Sequence, residues 1–282
     1  LFAVTSMAST AAVASVALSG SASVSYDDNG ASASATSYDA DLTIVGTAGG
    51  TTTTLGRIGT GYIYADWNGQ IAYTTPNMNG FSVTVGVMQP WNATASGNLS
   101  QASTGNSDQF GFQGQASYSW TGDFAGKAWA GFFTQEVTGI NNGAGGTTSD
   151  RATAFEAGLS TAIYNINLVA YGYSGEGVGT TGMLVQGFDT TGSARDSDGG
   201  YVQAKYTLPT KTVAGISWGQ SNLDRAGSDS ATGNLLKTNE MTTVGLYHPL
   251  TKSVNLVAEY SHVTSENQAG RENKSNSGSL GA

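Results

Sequence analysis

Charged side chains inside β-patterned segments are the residues with the clearest chemical potential. Arg57, Glu156, Lys205 and Glu259 each lie in a stretch whose hydrophobicity alternates with a period of two. Only 11% of the residues are charged, against about 25% in ordinary soluble domains. An ionised group within a strand needs water or a polar partner, so these four side chains are expected to face a polar interior. They could act on dissolved ions through their electric field.

Bond-making chemistry and metal binding have little support in the sequence. The chain has two histidines, His248 and His262, and no cysteine, so a transition-metal site lacks ligands. No nucleophile-elbow pattern lies between a strand and a helix. Asp196 and Asp198 are candidates for calcium, with a solvated turn as the alternative because few oxygen ligands accompany them. We therefore predict no catalytic residue, no enzyme activity and no cofactor.

The strands that would position the charged residues are separated by breaks of two kinds. Short turns such as Pro76–Gly80, Tyr164–Asn165 and Pro209–Thr210 alternate with long polar stretches, and about nine to eleven residues lie between neighbouring breaks. The long stretches are Pro90–Asp108, Gly139–Ala152, Gly175–Gly199 and Gln220–Asn239. Tight turns at one end and long loops at the other are typical of a transmembrane β-barrel. Strands of this length cross the apolar layer when tilted.

The faces of the strands agree with this fold. Phe110, Phe112 and Tyr118 fall on one face of a strand, and Gln113 and Gln115 on the other. The alternation alone fits a soluble sheet equally well, with its apolar face inside. Low charge and the lack of helical periodicity favour the barrel. We predict an all-β fold: a closed antiparallel transmembrane β-barrel of about 14–16 strands, with short periplasmic turns and long extracellular loops.

The beginning of the chain has a different composition. Residues 1–14 are small and apolar, and Ala12-Val13-Ala14 fits the cleavage pattern of a secretory signal. We predict a signal-peptide remnant over residues 1–14, with a small-residue first strand as the alternative. Residues 15–282 are expected to form a single barrel domain that lacks some C-terminal residues. The net charge of −9 argues against nucleic-acid binding.

Several segments resemble a known family. Gly69–Phe81 resembles a strand–turn–strand unit of Gram-negative outer-membrane general diffusion porins, and Leu55-Gly56-Arg57 resembles the segment before their constriction loop. Met241–Ser261 is similar to their penultimate hairpin, and Ser15–Ser23 to their first mature strand. Two departures stand out: only residues 58–68 separate Arg57 from the next strand, and the chain does not end in an aromatic residue. Either the constriction loop is short or residues are missing.

The resemblance implies a porin of the bacterial outer membrane through which small hydrophilic solutes and ions diffuse passively. It also implies a homotrimer that contacts outer-membrane lipids and lipopolysaccharide. The pore-lining and constriction candidates are Arg57, Tyr62, Tyr64, Asp66, Glu156, Lys205 and Glu259. A secreted β-rich surface or fibre protein, such as an adhesin or lattice subunit, is the alternative.

The charge balance adds an expectation about ions. The chain has 20 acidic and 11 basic residues, which predicts a weak preference for cations. Acidic residues of the long loops, among them Asp189 and Asp229, are expected to be exposed and therefore screened beyond about 8 Å at physiological salt.

Overall fold

Antiparallel β-strands dominate the part of the chain that the structure describes. The computed structural model describes residues 57–64, 69–93, 109–142 and 144–282, together with the backbone of residues 17–27 and 35–45. The strands are β1 (Ala17–Asp27), β2 (Ala35–Val45), β3 (Gln70–Thr74), β4 (Phe81–Met88), β5 (Gly111–Trp120), β6 (Gly126–Asn141), β7 (Thr147–Ile163), β8 (Ile166–Glu176), β9 (Asp196–Thr207), β10 (Val213–Leu223), β11 (Leu236–Pro249), β12 (Asn255–Asn267) and β13 (Glu272–Gly281). Within these ranges, no helix is long and apolar enough to cross a membrane. The expected signal remnant lies outside the described residues.

The strands follow one another in space as they do in sequence. β3 to β13 form one 11-stranded antiparallel sheet in chain order, and β1 pairs with β2. β1 also lies beside β13, at one edge of the larger sheet. The predicted all-β antiparallel fold is confirmed, while the sheet stays open across the described residues.

A tight hairpin between β3 and β4 shows how the sequence determines the turns. Asn79 and Gly80 both have positive φ, at 55° and 96°, as a two-residue type I′ turn requires. The flanking residues Met78 and Phe81 exchange two backbone hydrogen bonds of 2.8 and 3.1 Å. The Gly80 N–H also donates to Asn77 Oδ1 at 2.7 Å. The turn predicted at Pro76–Gly80 is confirmed, with Asn79 and Gly80 as its central residues.

The connections at the opposite end, which we call the loop end, differ from the prediction. The expected loop Gly139–Ala152 was too long, because β6 continues to Asn141 and β7 begins at Thr147. Most of the added strand residues are polar, among them Thr147, Ser149 and Asp150, so hydrophobic alternation does not reveal them. The β8–β9 and β10–β11 connections cover residues 177–195 and 224–235.

The two faces of the sheet have opposite polarity. Phe112 is 52% exposed and its neighbour Gln113 is 8% exposed. Other large apolar side chains exposed on the outer face are Val85, Phe155, Val202, Ile216, Val244 and Tyr260. The buried polar side chains of the opposite face, which we call the inner face, include Thr84, Gln135, Glu156, Gln203, Ser217 and Ser221. The outer face is apolar and exposed, whereas the inner face carries buried polar side chains. This reverses the arrangement of a soluble sheet, whose apolar face is buried.

Candidate functional site: the inner face of the sheet

Two non-strand pieces of chain cover the inner face near the loop end. We call residues 57–64 the inward segment and residues 177–195 the inward loop. The Tyr64 N–H donates to the Thr181 carbonyl at 2.8 Å, and the Met183 N–H donates to the Tyr64 carbonyl at 2.9 Å. Ile63 of the inward segment is fully buried in an apolar cluster. The same cluster includes Val178, Leu184 and Phe188 of the inward loop. It also includes Phe133, Ala154 and Tyr173 on the inner face of the sheet, which we call the wall.

Glycines permit a close approach of the inward segment to the sheet and a close approach within the inward loop. Gly61 has φ 113°, and a Cβ there would lie 2.3 Å from the Gly200 carbonyl oxygen of β9. Gly179 has φ 73°, and a Cβ there would lie 2.0 Å from the Val185 carbonyl oxygen. Both positions therefore need a residue without a side chain.

Arg57 attaches the inward segment to the wall. Its Nη2 donates to the Ser217 carbonyl of β10 at 2.8 Å and also to the Ser217 hydroxyl, and its Nη1 donates to the Met241 carbonyl of β11. Burial lowers the pKa of Arg57, while Tyr201, Glu259 and Tyr247 act in the opposite direction. The prediction that Arg57 lies in a strand was wrong: its side chain instead crosses from the inward segment to the sheet.

Glu156 lies on the inner face of β7 and is 5% exposed. The Tyr171 hydroxyl donates to its Oε2 at 2.9 Å, and Gln115 Nε2 donates to its Oε1 at 3.2 Å. The Tyr171 ring lies 6.2 Å from that of Tyr62 and 5.4 Å from that of Tyr201. Tyr62 and Tyr64 are half-buried, and the inward segment brings the Tyr62 ring beside the tyrosine that donates to Glu156.

Lys205 and Glu259 share one row of the inner face. Lys205 is opposite Gly215, Gly215 is opposite Gly245, and Gly245 is opposite Glu259. Three strand spacings separate the two charged residues, about 14 Å. Both side chains are half-buried, and Glu259 Oε1 accepts a hydrogen bond from the Tyr247 hydroxyl. The row therefore carries charges of opposite sign on either side of a glycine gap.

Of the remaining candidates, Asp196 and Asp198 do not join this arrangement. Asp66 lies outside the described residues. Asp196 and Asp198 are exposed residues of β9, and Asn222 Nδ2 donates to Asp198 Oδ2 at 2.9 Å. Among the described residues, no three or more His, Cys, Asp or Glu side chains are grouped as metal ligands.

The carboxylates that hold the inward loop were not singled out as site residues by the sequence. Asp189 is fully buried and Asp229 pairs with Arg195, so the expectation that both are exposed was wrong. Burial acts to raise the pKa of Asp189, but hydrogen bonds from Ser228, Ser193 and Thr191 together hold the pKa below its usual range. The hydrogen bond from Arg195 lowers the pKa of Asp229 against the effect of burial.

Comparison with protein families gives one match over most of the chain. A family model described as Gram-negative porin matches residues 25–268. No curated protein matches the sequence.

Solved structures provide matches at low sequence identity. The outer membrane channel DcaP of Acinetobacter baumannii is similar to this chain with a TM-score of 0.58 and 13% identity, over 79% of this chain and 64% of that chain. This chain thus spans less than two thirds of that channel's length. OmpT of Vibrio cholerae, in its trimer form, has a TM-score of 0.40 and 11% identity over 95% of this chain and 98% of that chain. The match to DcaP supports the fold observed here.

Proposed function

The chain belongs to the Gram-negative porin family, and from this membership we propose that it forms a water-filled channel in the bacterial outer membrane. Small hydrophilic solutes and ions diffuse through the channel passively, without a chemical reaction. We propose that the strands close into a barrel, and the position of β1 beside the β13 edge of the sheet supports this closure. Residues 15–282 form this single domain. Family membership disfavours the alternative of a secreted fibre protein.

The polarity of the two faces is the observation that carries the proposal. Apolar side chains such as Phe112 and Ile216 cover the outer face, where hydrocarbon would satisfy them. Gln113, Glu156 and Gln203 lie on the inner face, where a water-filled lumen would solvate the polar groups that protein contacts leave exposed.

Solute entry into liposomes tests the function. Purified protein is reconstituted into liposomes, and swelling is followed in isotonic sugars of increasing size. We expect swelling rates that fall steadily with sugar size and do not saturate with concentration. Rates equal to those of protein-free liposomes would contradict the proposal.

We propose that the inward segment and inward loop form the constriction. Arg57, Tyr62, Tyr64 and Glu156 lie at this level, with Asp66 beside the inward segment in sequence. Lys205 and Glu259 lie nearer the turns, where their opposite charges create a transverse field. Half-burial of both side chains supports their access to passing ions. The weak cation preference comes from the excess of acidic over basic residues in the chain.

The outer face is proposed to contact lipid, lipopolysaccharide and two further copies of the chain in a homotrimer. An apolar groove of about 480 Å³ crosses β7–β10 on this face, and its lining includes Leu159, Leu168, Val202, Ile216 and Trp218. Chemical cross-linking in detergent tests the assembly. A trimer band that heating converts to monomer is expected, and monomer alone would contradict it.

A further inference from the structure

The inward loop has a backbone conformation that its own sequence does not favour. Leu184 and Gln186 have φ of 61° and 60°, in the left-handed region that bulky L-residues rarely adopt. Such a conformation persists only where surrounding contacts determine it. Val178, Leu184 and Phe188 supply apolar contacts because all three are fully buried. Polar contacts within the loop and with a neighbouring loop supply the remainder.

Arg195 connects this part of the loop to a neighbouring loop. Its Nη1 donates to the Gln186 carbonyl at 2.8 Å and to the Phe188 carbonyl at 2.7 Å. Its Nε and Nη2 donate to the two carboxylate oxygens of Asp229, at 2.6 and 2.7 Å. Asp229 belongs to the β10–β11 loop, so one buried guanidinium joins the inward loop to a second connection of the barrel. A bidentate pair of this kind fixes geometry as well as charge.

Asp189 makes a second connection between the same two loops. Its Oδ1 accepts from the backbone N–H groups of Thr191 and Ser193 at 2.9 and 2.8 Å, which closes the tip of the inward loop. Its Oδ2 accepts from the Ser228 N–H at 2.9 Å and the Ser228 hydroxyl at 2.7 Å. The Ala194 N–H donates to Asp150 of β7 at 3.1 Å, which adds a contact with the wall.

We propose that Arg195 and Asp229 are positioning residues that hold the inward loop across the lumen and so set the conductance and size limit of the channel. They act through the loop and not through contact with the permeating solute. Asp189 and Ser228 reinforce the same connection. This inference rests on the proposed channel function. It adds that the passage is narrowed by an element whose position depends on contacts with the β10–β11 loop.

Single-channel recording of Asp229→Asn and Arg195→Lys in planar bilayers tests the inference. Asp229→Asn removes the charge that Arg195 binds, and Arg195→Lys keeps the charge but removes the bidentate geometry. We expect both variants to have a higher conductance than the wild type and to admit larger sugars in liposome swelling. The increase should be smaller for Arg195→Lys.

Glu136→Gln is the matched control. It breaks the pair between Arg151 and Glu136, which are 3.6 Å apart and partly exposed near the loop end. Its conductance should equal that of the wild type. If Asp229→Asn does not assemble, Arg195→Lys decides the question. Wild-type conductance and size limit in the assembled variants would overturn the inference. Absence of wild-type channels would instead overturn the proposed function.

A reversible tether separates loop position from general stability. The Thr190 and Ser228 hydroxyl oxygens are 3.4 Å apart, and the chain has no cysteine of its own. Cysteines at both positions in the Arg195→Lys background should form a disulfide that restores the wild-type conductance. Reducing agent should raise the conductance again. The same conductance before and after reduction would contradict a positioning role.

Discussion

Arg57 and Ser217 are 160 residues apart in sequence, yet the Arg57 Nη2 lies 2.8 Å from the Ser217 carbonyl oxygen. Arg57 is 1% exposed, and the same nitrogen also donates to the Ser217 hydroxyl. The contact joins the inward segment to β10. It therefore holds the inward segment, which is part of the proposed constriction, against β10.

Replacing Arg57 should loosen this attachment. Arg57→Met keeps much of the side-chain length but removes every donor, and a hydrogen bond from a charged group contributes about 1.5–3 kcal/mol. We expect a lower temperature for the shift from folded to unfolded mobility on detergent gels, with higher single-channel conductance. Arg271→Met, at an exposed position between β12 and β13, is the control and should change neither. An unchanged transition temperature for Arg57→Met would argue against the anchoring role.

An arginine on the outer face should prevent membrane assembly. Phe112→Arg places a cation towards lipid, which costs about 2–4 kcal/mol near the bilayer midplane. Gln115→Arg is the matched control on the inner face of the same strand, where Glu156 already accepts a hydrogen bond from Gln115. We expect the heat-modifiable folded band to be lost for Phe112→Arg and kept for Gln115→Arg. Equal assembly of the two variants would contradict the assignment of the faces.

The sequence predicts the strands and their alternation more readily than the direction of the faces. Phe112 and Gln113 are correctly placed on opposite faces, but the period-two pattern is the same whether the apolar row points to a core or to lipid. The exposure of Phe112 in the structure gives the direction.

The inward loop illustrates what sequence patterns miss. Its buried residues Met183, Leu184 and Val185 are consecutive, which neither a helical nor a strand period predicts. The conformation of the loop also depends on Asp229, 34 residues after Arg195. Arg195 lies one residue before the candidate Asp196, but the spacing of charges does not reveal that it pairs across loops. Arg195 and Asp229 come together because β9 and β10, which pair with each other, lie between them in the chain.

Ion selectivity should respond to the row that contains Lys205 and Glu259. Glu259→Gln removes a negative charge from the inner face and should shift the reversal potential in a potassium chloride gradient towards anions. Lys205→Gln should shift it towards cations. Asp123→Asn, in the exposed β5–β6 turn, should have a smaller effect because exposed charges are screened beyond about 8 Å. Equal effects of Glu259→Gln and Asp123→Asn, or an anion-selective wild type, would argue against this pore lining.

The contacts of the inward loop should resist moderate acid. The pKa values of Asp189 and Asp229 are lowered in the folded chain, so their stabilisation is complete above the unfolded Asp pKa of about 3.9. It is lost as the pH falls through the lower folded values. The charged groups that face these carboxylates are Arg195 and Asp150. We expect constant conductance from pH 7 to about pH 4 and an increase below that range. An increase between pH 7 and 5 would contradict this assignment.

Thiol labelling at two neighbouring positions tests the central claim that the polar face lines a water-filled channel. The chain lacks cysteine, so single-cysteine variants are unambiguous. Thr243 lies on the inner face, where its hydroxyl is 2.8 Å from that of Ser261, and Val244 is exposed on the outer face. A charged, membrane-impermeant thiol reagent should reduce the single-channel current of Thr243→Cys and leave that of Val244→Cys unchanged. Current loss in Val244→Cys alone, or in neither variant, would contradict the account.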